Sequence, residues 1–95
     1  MIKVYEVSSI DNIDVRICDA CHQIGHGTNL GKNIYVLVKE DYKHTLDVYS
    51  SKFGLNKSLL SVNAFKKLEM RGYKIRELSK EEIESLSLTI TMESL

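Results

Sequence analysis

The chain has 95 residues, of which 43% are hydrophobic and 27% charged, with no Pro and no Trp, and its 13 basic residues balance 13 acidic ones. That length suits one apolar core and is too short for two, and the composition is that of a folded globular protein, so one domain over residues 1–95 is expected and disorder is not. No run of about 18 apolar residues exists, and MIKVYEV alternates like a strand instead of presenting a basic region before an apolar one; this argues against a membrane span or a secretory signal and for a cytoplasmic protein.

From the N-terminus, Ile2, Val4 and Glu6 alternate with Lys3, Tyr5 and Val7, the period-2 pattern of a strand. Asp11 suits the cap of a helix over Asn12 to Ile24, in which Ile13, Ile17, Ala20 or Cys21, and Ile24 recur at spacings of three and four before Gly25. The Gly- and Asn-rich GHGTNLGKN reads as a loop, and Ile34 to Val38 as a short strand. Asp41 then starts a second helix with Tyr42, Leu46, Tyr49 and Phe53 as its stripe, ended by Gly54. A third helix starts near Asn56 or Lys57, buries Leu60, Ala64, Phe65 and Leu68, and ends at Gly72. Tyr73 to Leu78 alternates as a strand, and Leu86, Leu88, Ile90 and Met92 as another. Between them, Ser79 and Glu82 match a capping box that starts a short helix, whereas a hairpin reading makes SKEE a turn.

The helix, Gly turn, helix and strand in SSKFGLNKSLL and KKLEMRGYKI resemble the winged helix-turn-helix domains over about residues 42–91. The expected fold is therefore α+β: a small winged-helix-like single domain with an extra N-terminal strand, in the order β-α-β-α-α-β-β, with or without a short helix before the last strand. The resemblance implies that Asn56, Lys57, Ser58, Ser61 and Asn63 face the major groove of duplex DNA, with Lys66, Lys67, Arg71 and Lys74 along the phosphate backbone. Charge is unevenly placed: six basic residues against Glu69 between Lys57 and Arg76, then five acids against Lys80 from Glu77 onward.

CDACHQIGH places two Cys and two His between Cys18 and His26. Cys18-x-x-Cys21-His22 has haem-attachment spacing but would need an export context, and Cys18, Cys21 and His26 match the first three ligands of a zinc knuckle whose fourth position is Gly31. Zinc would then need His22, His44 or a second chain, and a redox pair would need its first Cys at a helix N-terminus. The favoured reading makes Cys21, and with it Cys18, small buried apolar residues on the first helix, with no metal and no cofactor. His26-Gly27-Thr28 matches the start of some ADP-ribosyltransferases but is only a tripeptide, and no Walker motif, GxGxxG or nucleophile elbow occurs. The chain therefore reads as non-enzymatic: a DNA-binding regulator, viral or mobile-element encoded and dimeric, or alternatively a protein-binding module or inhibitor of a host protein acting through its charged surface.

Overall fold

The computed structural model describes residues 2–9, 11–18, 20, 21, 23–39 and 44–86. Along the chain run β1 (Ile2–Ser8), β2 (Arg16–Cys18), β3 (Gln23–Ile24), β4 (Thr28–Asn29), β5 (Asn33–Lys39), β6 (Thr45–Ser50), β7 (Gly54–Ser61), α1 (Val62–Met70) and β8 (Lys74–Glu77). A second helix, α2, covers residues 80–86. The long strands form a five-stranded sheet in the order β7-β6-β5-β1-β8 with every neighbouring pair antiparallel, and the short ones a three-stranded sheet in the order β3-β2-β4.

Strand alternation decides what the large sheet buries. Val7 pairs with Ile34, and Val36 with Val48, so these side chains share one face. There they join Leu46 and Leu60 in a cluster closed by Val15, Ile17, Ile24 and Leu30 of the small-sheet region and by Ala64 and Leu68 of α1. The small sheet and α1 thus cover the same face side by side. Tyr73 lies in this cluster too, and its hydroxyl donates to the Asp14 carbonyl at 3.1 Å, tying the end of α1 to the approach to β2. On the opposite face, Glu6 and Tyr35 line a groove with Leu78 and with Glu82, Ser85 and Leu86 of the α2 region.

α1 has defined ends. The Ser61 hydroxyl accepts from the Ala64 amide at 3.1 Å, an N-cap. At the other end Gly72, with φ of +92°, donates to the Glu69 carbonyl while Tyr73 donates to that of Leu68, a Schellman closure for which a residue without Cβ is suited. α2 starts with the expected capping box: the Glu82 amide donates to the Ser79 hydroxyl at 3.3 Å, and the Ser79 amide to the Glu82 carboxylate at 3.0 Å.

The winged-helix expectation fails at two of its helices. Residues 45–61 form the β6–β7 hairpin, because Leu46, Val48 and Ser50 alternate toward the core and Gly54, at φ of +72°, serves the hairpin turn instead of a helix end. The expected helix start at Asp41 and Tyr42 lies outside the described residues. The described residues between 12 and 24 likewise form no helix. Asp11 and Asn12 take left-handed φ values of 57° and 65°, and Val15 and Ile17 alternate into the core while Ile13 stays exposed. α1 is the C-terminal half of the expected third helix, its N-terminal half being zipped to β6 through pairs such as Leu46 with Leu60. The final expected strand, apart from Leu86, also falls outside the described residues. No helix among those described is long and apolar enough to cross a membrane.

Candidate functional site

The β2–β3 turn and the loop before β4 bring the Cys and His residues together. Ile17 and Cys18 of β2 pair with Ile24 and Gln23, while Arg16 and Ile17 pair on the other side with Asn29 and Thr28. β2 is therefore clamped between a tight turn carrying Cys21 and a Gly25-His26-Gly27 loop. Gly27 packs on the β2 backbone: a Cβ there would lie 2.5 Å from the Cys18 Cα and 2.6 Å from the Ile17 carbonyl oxygen. Only glycine permits that approach, and the approach sets His26 beside the cysteines.

The Cys18 and Cys21 sulfurs and a His26 ring nitrogen all lie within 4.8 Å of one another. Cys21 Sγ is 3.2 Å from His26 Nε2, and the Cys21 amide reaches the Cys18 Sγ at 3.4 Å. Cys21 and His26 are exposed and Cys18 half-buried, which overturns the reading of Cys21 as a buried apolar residue on a helix. A thiol beside an imidazole also has the spacing of a nucleophile and its base. Here hydrogen bonding with Cys18, followed by desolvation, pushes the Cys21 thiol up, away from the thiolate that such chemistry needs. Among the described residues nothing orients the other His26 ring nitrogen.

Cys21 also borders a groove of about 180 Å³ between the β2–β3 hairpin and α1, lined by Gln23, Ser61, Asn63, Lys67 and Arg71 around Ile24 and Ala64. Asn63, Lys67 and Arg71 are four apart, so one helical face presents all three. The Arg71 guanidinium lies over Gly25, where a Cβ would come within 2.5 Å of Nη1. Among the described residues, the groove lining contains no carboxylate. The grooves elsewhere do: Glu6 and Glu82 in one, Glu69 and Glu77 in a second, Asp11 in a third. Among the described residues, no acid pairs with Lys67 or Arg71, whereas Lys32 pairs with Asp14, Lys39 with Asp47, and Arg76 with both Glu6 and Glu82.

The residues expected to bind nucleic acid are thus divided. Ser61, Asn63, Lys67 and Arg71 converge on the groove. Lys66 lies on the far flank of α1 beside Glu69 and Glu77, and Lys74 is exposed on β8. Asn56, Lys57 and Ser58 belong to β7, so the feature expected to enter the major groove is a strand and not the start of a helix; of these, only Asn56 has a described side chain. His44 does not join the Cys/His cluster. No local sequence pattern points to Gln23, because its place in the groove depends on the hairpin packing against α1, a segment distant in the chain. No protein-family model, curated protein or solved structure matches the chain.

Proposed function

We propose that the chain is a non-enzymatic binding protein that holds the phosphate backbone of nucleic acid in the groove between α1 and the β2–β3 hairpin. The observation that carries this reading is the groove's lining among the described residues: two cations, Lys67 and Arg71, that no described acid pairs with, the amides of Gln23 and Asn63, and no described carboxylate. Phosphate recognition needs donors in that combination. Arg offers a planar fork to two phosphate oxygens, Lys a point charge, and the amides orient the backbone. Lys67 and Arg71 are exposed, so neither loses much hydration before binding, and their attraction for a polyanion is mostly counterion release. With these side chains assigned to phosphate oxygens, the proposed binding is sequence-independent.

The test is the affinity of fluorescent random duplex DNA and single-stranded RNA for the wild type and for a Lys67→Glu, Arg71→Glu double variant. The reversal is expected to weaken binding at least about tenfold, with Lys80→Glu, on α2, changing it little. An unchanged double variant would refute the groove as the interface. A wild type that binds neither nucleic acid at low salt would refute the reading and leave acidic protein surfaces as the class of partner to test.

A further inference from the structure

We infer that Cys18, Cys21 and His26 form a binding site for a thiophilic divalent cation, zinc by chemical class. This rests on the β2–β3 turn and the His26 loop alone and does not require the groove to bind nucleic acid. Two sulfurs and one imidazole nitrogen form a donor set that suits zinc and offers nothing to calcium or magnesium, which take oxygen ligands.

The distances fit. Zinc bonds of about 2.3 Å to sulfur and about 2.0–2.1 Å to nitrogen place tetrahedral ligand atoms about 3.6 Å (S to N) and about 3.8 Å (S to S) apart. Cys21 Sγ and His26 Nε2, at 3.2 Å, need to open by only about 0.4 Å, and all the donor atoms already lie within 4.8 Å of one another. The backbone holds them there without the metal. The Cys21 amide donates to the Cys18 sulfur, closing the Cys-x-x-Cys turn, and Gly27 lets the His26 loop rest directly on Cys18. This preorganisation lowers the ordering cost of binding.

Binding is balanced by proton release. Each thiol loses its proton as its S–Zn bond forms, and His26 binds through the Nε2 lone pair while keeping its proton on Nδ1. Two thiolates neutralise the ion, so the occupied site adds no net charge beside Lys67 and Arg71. Three protein ligands leave the fourth tetrahedral position to water or to a donor from outside the cluster. The metal would cross-link the turn to the loop and so brace the hairpin wall of the groove, which Cys21 and Gln23 help form.

The experiment is metal loading of reduced, tag-free protein followed by desalting. Elemental analysis should find about one zinc per chain, and cobalt(II) substituted for zinc should show thiolate-to-metal charge-transfer absorption with intense visible bands of tetrahedral type. Cys18→Ser, Cys21→Ser and His26→Gln should each lower the retained metal well below the wild-type stoichiometry; the cobalt spectrum of the wild type decides the ligand type even if a variant fails to fold. Cobalt without charge-transfer absorption, or zinc retained by all three variants, would place the metal elsewhere and overturn the assignment. So would a reduced wild type that retains no metal.

Discussion

Gly27→Ala should be among the most damaging small substitutions in the chain, and its cost can be separated into two parts. At φ of +85° an L-residue costs about 1–2 kcal/mol relative to glycine. The new Cβ would also stand 2.5–2.8 Å from the Cα and N of Cys18 and the carbonyl oxygen of Ile17, and because these are strand backbone atoms the crowding adds about 1–3 kcal/mol. Gly54 and Gly72 supply the control. Their φ values are +72° and +92°, yet nothing lies within 4 Å of a Cβ built on either, so alanine there should incur only the conformational part. Together the two parts come to about 2–5 kcal/mol, and at about 4–8 °C per kcal/mol for a domain of this size Gly27→Ala should melt roughly 8–40 °C below wild type and clearly below both controls. Thermal melts should be run with a chelator present, so that loss of a bound metal does not enter the comparison. Equal shifts in all three variants would refute the claim that the His26 loop rests on the β2 backbone.

Leu68→Ala, at a fully buried position of α1, should cost about 2–5 kcal/mol in chemical denaturation, whereas Met70→Ala on the exposed side of the same helix should stay within about 0.5 kcal/mol; similar costs would mean that α1 packs through another face. Glu82 makes hydrogen bonds of 2.7 and 2.9 Å with Arg76, and these hold its carboxyl down at about 2, from an ordinary 4.5. A carboxylate with a depressed folded-state pKa contributes stability that is fully present above the unfolded value and is lost as pH falls through the folded one. The wild-type melting temperature should therefore decline as pH drops from about 5 toward about 2, and Glu82→Gln should decline less over that window while starting lower at neutral pH. Parallel pH profiles would show that the pair does not couple to folding.

Some of the fold was legible because the local signals admitted one solution. The alternation of β1, the apolar run within β5, the closing Gly72 of α1 and the Ser79–Glu82 capping box each fix a boundary through nearby residues alone. The two failed helices show where local signals are degenerate. Ile13, Ile17 and Ile24 satisfy helical spacing, but Val15 and Ile17 satisfy strand spacing, and the large sheet selects the second by offering those two an apolar face. Gly54 serves a helix end and a hairpin turn equally well, since both need positive φ. The same ambiguity hid the site. Cys18, Cys21 and His26 have ligand spacing in the sequence, yet the helix expected through the two cysteines buries Cys21, whereas the turn exposes it. Lys67 and Arg71 are readable from their spacing as one helical face, but the groove is not, because its other wall is a distant hairpin.

The most direct test of the proposed function is the salt dependence of duplex DNA affinity, measured for wild type and for the Lys67→Glu, Arg71→Glu variant. Each phosphate neutralised contributes about −0.9 to the slope of log affinity against log salt concentration. If Lys67 and Arg71 hold the backbone, the double variant should bind more weakly and its slope should be shallower by about 1.8 units. A variant whose affinity falls while its slope stays that of the wild type would show that neither cation touches phosphate, and would contradict the account.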